Sequence, residues 1–386
     1  MNSKYEINTK ENREFLKASC EDLLNFGHRF PSPNGGSYYL GDDGTPWKDR
    51  NRETWITCRM AHVYSLGLML GHEGSGELLD AALKGLRGEL HDDKNGGWYA
   101  GVTQEGGIVP NKQCYAHAFV ILAASSALTA GRPGAKELLE EALAVYDRHF
   151  WNEEEGLACD TWNTEFTVLD DYRGLNANMH TVEAFLAAGD VIGDKKYHIR
   201  AGRIIDHVIG WAEDNNWRIP EHFTKGWVAD LDCNRDRPDD PFKPYGATPG
   251  HGIEWARLIT QWALANCREE KEKLEKYLQA AEKLYTTAIT DGWNADGAPG
   301  IAYTTDWNGK PVVHDRMHWT LAEAINTSAV LYHVTGKEKY AKDYAEFMKY
   351  LDEVVMDHEN GSWFHQLDEE NHLKETVWPG KSDLYH

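Results

Sequence analysis

The residues of this chain best suited to chemistry fall on two helical stripes. His251, Glu254, Trp255 and Leu258 recur at i, i+3, i+4 and i+7, so one helix face carries an imidazole, a carboxylate and a large aromatic ring. Asn176, His180, Glu183 and Ala187 repeat the arrangement on a second helix. Histidine titrates close to neutrality and serves as general base or acid. A Pro249-Gly250 turn delivers His251 to the mouth of its helix, where the macrodipole favours the neutral imidazole that a base requires. A capped helix with a solvated histidine explains one such stripe. The second turns the pair into a candidate site lining.

Two stripes need a scaffold that brings them face to face. Apolar periodicity near 3.6 predicts helices over 10–27, 52–71, 75–90, 112–130, 134–149, 176–192, 195–213, 250–267, 271–290, 318–335 and 337–355. Strand-like alternation is confined to short pieces around turns. No linker divides the chain, so residues 1–386 read as one domain. Asn95-Gly96-Gly97-Trp98-Tyr99, Glu155-Gly156-Leu157-Ala158, Asn216-Trp217-Arg218-Ile219, Ala298-Pro299-Gly300-Ile301-Ala302 and Asn360-Gly361-Ser362-Trp363-Phe364 are variants of one connector, each following the second helix of a pair. Repeated helical hairpins cannot bury their apolar faces alone, so they must stack or close into a ring. Even-numbered helices open with polar and aromatic groups (Arg52 and Arg59; Gln113, Tyr115 and His117; Asn176 and His180; His251 and Glu254; His318 and Trp319), while odd-numbered ones are ordinary amphipathic helices. That parity predicts an all-α toroid with inner and outer rings and a site where the inner N-termini converge.

Composition narrows the partners. A formal charge of -22 disfavours nucleic acid and anionic membrane surfaces. The longest apolar run, 118–130, is too short to span a bilayer, and the N-terminal stretch has no apolar core of the signal-peptide kind. Six dispersed cysteines without a CxxC pair indicate reduced thiols, a cytoplasmic protein and no structural zinc. Fifteen Trp and eighteen Tyr suit sugar rings and helix packing alike.

Four stretches in order resemble the N-acylglucosamine 2-epimerase superfamily: Thr54-Trp55-Ile56-Thr57-Cys58-Arg59-Met60, residues 174–184 around Asn176 and His180, residues 249–258, and Trp378-Pro379-Gly380-Lys381-Ser382-Asp383-Leu384-Tyr385-His386. The resemblance implies an (α/α)6 barrel. Trp255 after Glu254 resembles the aldose–ketose isomerase branch, which includes mannose and sulfoquinovose isomerases. It implies His251 and His386 as the acid/base pair, His180 assisting ring opening, Arg59 and Asn176 holding sugar oxygens, and Glu254 orienting His251. Six helix pairs need twelve helices, and this sequence ends at His386, where the twelfth should begin. Either the sequence is a piece of a longer one, which is the expectation, or the last inner position is open or filled by a neighbour. His386 is then expected at a poorly tethered end.

The implied activity is interconversion of D-mannose, or a related aldose such as D-lyxose, with its ketose, without cofactor or metal. A proton passes between C2 and C1 through a cis-enediol, which needs a base near neutrality, an acid for the carbonyl oxygen and a fixed donor. Returning the proton to the other face of C2 makes a 2-epimerase instead, a difference of geometry and not of residue list. Tyr115 and Trp319 are expected as pocket walls, and His117 and His318 as groups behind the site. A metal reading of His180-x-x-Glu183 and His251-x-x-Glu254 runs in the reverse order to Glu-x-x-His helix pairs. A glycosidase would need two carboxylates about 5 or 6.5–9.5 Å apart at the mouth, with Asp170-Asp171 and Asp239-Asp240 as candidates. A sulfonated sugar would call on extra cations, such as Arg235, Arg237 or Lys243 in the 220–250 loop. The non-enzyme alternative is a sugar-binding toroid with a degenerate site.

Overall fold

The computed structural model describes residues 2–386 and holds eleven α-helices with only short strands between them. In chain order these are α1 (Lys10–Gly27), α2 (Thr54–Met69), α3 (Ser75–Leu86), α4 (Cys114–Thr129), α5 (Ala135–His149), α6 (Leu175–Ile192), α7 (Lys195–Asp214), α8 (Pro249–Asn266), α9 (Lys271–Gly292), α10 (His318–Thr335) and α11 (Glu338–Tyr350). Helix α2 packs on α4, α4 on α6 and α8 on α10, and each of these inner helices also packs on the helix that follows it. The parity read from the sequence is thus the parity of two concentric rings. The inner helices are covered on every side: in α4 all residues from Ala116 to Ala127 are buried, as expected of a helix apolar all round. Hydroxyls buried there are satisfied within the helix, Ser125, Thr181 and Thr260 each donating to the carbonyl four residues back.

Helix α1 completes the outer ring. Thr9 caps its N-terminus through the Asn12 N–H at 3.0 Å, Leu24 O accepts from Tyr64 Oη on α2 at 2.8 Å, and Asn12 accepts from Tyr344 on α11 at 3.0 Å. The irregular tail 378–386 reaches Arg59 on α2 and Glu183 on α6. Beside that tail, between α1, α10 and α11, lies a cavity of about 420 Å³.

Several helices are shorter than their periodicity suggested. Arg52–Glu53 and Lys112–Gln113, read as helix, are strands, the latter within Asn111–Gln113. The physical reason is pairing across the mouth of the barrel: the residues before one inner helix hydrogen-bond to the loop leading to the next. Arg52–Glu53 pairs with Gly101–Val102, Asn111–Gln113 with Thr161–Asn163, Arg173–Gly174 with His222–Phe223, and Arg316–Met317 with Gln366–Leu367, all antiparallel. A single bridge from Ala247 to Thr305 does the same before α8. At the far end of α11, residues Leu351–Val355 widen into a π turn instead of continuing the α-helix.

Among the described residues no helix is long and apolar enough to cross a membrane, and all six cysteines are free.

Candidate active site

The inner N-termini and the tail enclose one cavity. Arg59, Tyr115, Asn176, His180, His251, Glu254, Trp319 and His386 all line it, together with Trp55, Phe242, Tyr303, His318, His365 and Trp378. Every residue singled out from the sequence as catalytic or substrate-binding is therefore at one place. Free space inside is about 60 Å³.

His251 sits in the first turn of α8, after Pro249 at the helix start. Gly250 beside it has no alternative: a Cβ there would lie 2.6 Å from Trp319 and from Thr320. The ring of Trp319 consequently packs close to His251, centroids 5.1 Å apart. The His251 Nδ1 lies 3.0 Å from Glu221 Oε2. This corrects the expectation for Glu254, because the carboxylate that orients His251 comes from the loop after α7 and not from the same helix face. Glu221 is itself fixed, its carbonyl accepting the Leu175 N–H at 3.1 Å. A carboxylate at Nδ1 holds the proton there and leaves Nε2 free as base.

Glu254 has a different environment. Its carboxyl is buried, Oε1 has no partner, and the nearest cation is Arg257 Nη2 at 3.7 Å. Arg257 is committed to Glu323 through two bonds of 2.7 and 2.9 Å. Burial, and then the charge of Glu323, push the Glu254 carboxyl well above the usual carboxylate range, against the pull of Arg257. Glu254 is thus suited to donate a proton or a hydrogen bond.

The other histidines are neutral for a common reason. Burial lowers His180, His318 (to about 4) and His386, the last with help from the Arg59 charge. His180 Nδ1 lies 3.2 Å from Glu183 Oε2, which also accepts from the Tyr385 hydroxyl. Burial raises Glu183, but the His180 bond, Arg257 and Tyr385 outweigh it and hold the carboxyl at about 2. His318 stacks on His365, centroids 3.7 Å apart and planes 8° from parallel. His117, expected behind the site, does not line the cavity. It is structural, accepting the Trp98 N–H at 3.1 Å with its Nδ1 2.7 Å from Gln113 O.

His386 is not a loose end. Its side chain is 7% exposed, with Nδ1 3.8 Å from Glu323 Oε1 and the ring centroid 6.0 Å from that of Trp319. Three side chains anchor the tail. Lys381 Nζ, fully buried, donates to Asp357 Oδ2 at 2.6 Å and to Asp42 O at 2.8 Å. Asp383 Oδ2 meets Arg59 Nη1 at 3.3 Å, and Tyr385 bonds Glu183. Arg59 donates from Nη2 to Tyr115 Oη at 3.1 Å and sits among the rings of Trp55, Phe119 and Tyr385, 4.6–4.9 Å from their centroids. Burial opposes its charge, yet Tyr115, Asp383 and Tyr385 keep it firmly protonated.

Sequence reasoning missed Glu221, Phe242, Tyr303 and His365. The first two lie in the long loop before α8, where no periodicity marks a buried side chain. Asp383 and Trp378 stand inside a quoted stretch but had no assigned role.

The acidic pairs considered for glycoside hydrolysis are loop residues outside the cavity. Asp171 is exposed and pairs with Lys225 at 3.2 Å, and Asp240 accepts the N–H groups of Phe242 and Lys243. Among the described residues no group of three or more His, Cys, Asp or Glu side chains is placed to hold a metal ion. The cations considered for a sulfonate are engaged elsewhere: Arg235 with Asp232, Arg237 with Asp240, and Lys243 over the Tyr172 ring. Among the described residues, Arg59 is the only Arg or Lys lining the cavity.

A ring of paired helices whose inner mouths gather histidines, two of them backed by carboxylates, defines an enzyme of acid–base chemistry on a small polar substrate. The chain belongs to the N-acylglucosamine 2-epimerase (GlcNAc 2-epimerase) family, which matches residues 35–386. It is 40% identical over 381 residues to a D-mannose isomerase of Pseudomonas cannabina pv. alisalensis, covering 98% of this chain and 92% of that one. A crystal structure of a D-mannose isomerase superposes with a TM-score of 0.89 at 28% identity, covering 98% of this chain and 95% of that one. The cellobiose 2-epimerase of Spirochaeta thermophila DSM 6192 shares the fold, with a TM-score of 0.83 at 18% identity over 98% of this chain and 94% of that one.

Proposed function

We propose that the protein is an aldose–ketose isomerase that interconverts D-mannose and D-fructose in the cytoplasm. The observation that carries this reading is that His251 and His386 line one cavity, each with its ring within 6.0 Å of the Trp319 ring, in a chain 40% identical to a D-mannose isomerase. His180, hydrogen-bonded to Glu183, assists opening of the sugar ring. With the open-chain aldehyde bound, His251 Nε2 takes the proton from C2, Glu221 stabilises the imidazolium, and the electron pair moves to form the C1–C2 enediol. Arg59, Asn176 and the Glu254 carboxyl face the oxygens on which charge develops. Proton delivery to C1 then leaves a hydroxymethyl group there and a ketone at C2. His386, neutral and adjacent, moves the proton between the two oxygens. All of these roles use groups the chain itself supplies, and the free cysteines fit a reducing compartment.

The epimerase reading differs in where the proton lands. An isomerase needs one base serving adjacent carbons on one side of the enediol, whereas a 2-epimerase needs a group on each face or a rotated intermediate. A sugar sulfonated at C6 is less well served, since among the described residues Arg59 is the only Arg or Lys at the cavity wall. The test is reaction on D-mannose in D₂O, followed by NMR, with and without prior EDTA treatment. Fructose as the first product, deuterated at C1, and turnover that survives EDTA are expected. Glucose appearing first, deuterated at C2, would establish the epimerase instead.

A further inference from the structure

Four carboxyls gather around Arg257 and Arg59, and three of them are supplied with donors. Glu323 on α10 accepts two bonds from Arg257, at 2.7 and 2.9 Å. Glu183 on α6 accepts from Tyr385 and contacts His180, and Asp383 in the tail accepts from Arg59. A buried carboxylate needs such donors to keep its charge. Glu254 lacks this support. It is 1% exposed, its Oε1 is buried without a partner among the described residues, and Arg257 Nη2 at 3.7 Å stands beyond hydrogen-bond reach.

Arg257 follows Glu254 by one turn of α8, the i,i+3 spacing at which opposite charges on a helix ordinarily pair. Glu323 takes its two strong bonds across the α8–α10 contact instead, and Nη1 is left with Gln261 Oε1 at 3.4 Å. The other charged and titratable groups that face Glu254 are Glu183 from α6, Arg59 from α2, Tyr115 from α4 and Tyr385 from the tail. Glu183 repels a second negative charge, and Arg59 is spent on Asp383 and Tyr115. Glu254 lines the reaction cavity, whereas Arg257 lines the cavity beside the tail, so Arg257 acts through Glu254 and not on the sugar. We infer that Arg257 is a positioning residue of this site: engaged by Glu323, it leaves Glu254 as a neutral carboxylic acid whose O–H donates to the sugar oxygen on which negative charge develops. This rests on the isomerase reading of the site.

The experiment follows kcat/KM on D-mannose against pH for wild type, Glu323→Gln, Arg257→Lys and Glu254→Gln, with infrared detection of protonated carboxyls. Glu323→Gln frees Arg257 to pair with Glu254, which then ionises more readily. The alkaline limb of its profile should move down by about one pH unit or more, with activity partly recovered on acidification. Arg257→Lys keeps the charge but loses the two-pronged grip, and should move the limb the same way by less. Glu254→Gln has no such proton to lose, so it should remove the limb together with one carboxylic-acid C=O band that wild type shows at mildly alkaline pH. A parallel loss at every pH in Glu323→Gln and Arg257→Lys, with the limb unmoved, overturns the inference, as does a carboxylic-acid band unchanged in Glu254→Gln. Should Glu323→Gln fail to fold, Arg257→Lys and the infrared band decide. Failure of the isomerase reading shows separately, as no ketose formed from mannose by any of the proteins, while the band still reports where the proton sits.

Discussion

The cavity receives two histidines by opposite means. His251 comes from the first turn of a long buried helix, with its carboxylate supplied by a loop pinned to the next inner helix. His386 comes from an irregular stretch, positioned by a buried ion pair, an arginine and a tyrosine. Precision at an active site does not require regular structure, only enough satisfied polar contacts in a dry environment. The two solutions differ in what else they support. Around His251 the helix would stand without the imidazole. Around His386 the same contacts that aim the ring also close the barrel.

Breaking each side should expose that difference. His251→Ala should lower kcat by about 10²–10⁴-fold while the fold survives, since the residue sits in the first turn of its helix at the cavity wall. Glu221→Gln should lose roughly 10–100-fold in kcat, with KM little changed. Retention of more than a tenth of wild-type kcat in His251→Ala would remove it from the mechanism. Lys381→Met should damage stability and activity together. It leaves Asp357 buried without its cation, a defect worth about 3–5 kcal/mol, read as a lower melting temperature and parallel loss of turnover. If Lys381→Met melts early yet keeps full turnover in its folded state, the tail does not position His386 in the way described.

The mildest perturbation is pH. In the folded protein His318 is lowered from 6.5 to about 4 and His117 from 6.5 to about 3, both first by burial, and His365 and His386 also lie well below 6.5. Between those values the unfolded chain binds more protons, so stability is complete above about pH 6.5 and is lost as pH falls toward about 4. Asp160, raised by burial from 3.8 to about 7, and Glu254, raised likewise, work in the opposite sense. The lowered histidines, His180 among them, outnumber Asp160 and Glu254, so the melting temperature should fall between pH 7.5 and 5. A flat profile would mean that the imidazoles are hydrated, and His318→Gln should reduce the slope.

How much of this was legible beforehand depends on where periodicity exists. Helix pairing, the inner and outer rings and the convergence of Arg59, Asn176, His180, His251 and Glu254 could be read because a period of 3.6 places such residues on defined faces. The ends of the inner helices could not, because Arg52–Glu53 and Asn111–Gln113 are drawn into ladders by partners about 50 residues away in sequence. Glu221 and Phe242 were invisible for a related reason. Each acts from an aperiodic loop, and its importance comes from what tertiary structure sets opposite it. The tether of His386 depends likewise on Asp42, Asp357 and Glu183, distant residues that no local pattern connects.

The two- and three-residue ladders across the barrel mouth have a thermodynamic consequence. Because they join each inner entry to the next, from Arg52–Glu53 round to Gln366–Leu367, the loops bearing most wall residues are ordered when the chain folds. Immobilising a flexible wall at the moment of binding would subtract about 1–2 kcal/mol per backbone residue from affinity. Here the ladders remove that penalty for the loops they join, so the entropy of sugar association should carry little contribution from ordering those loops.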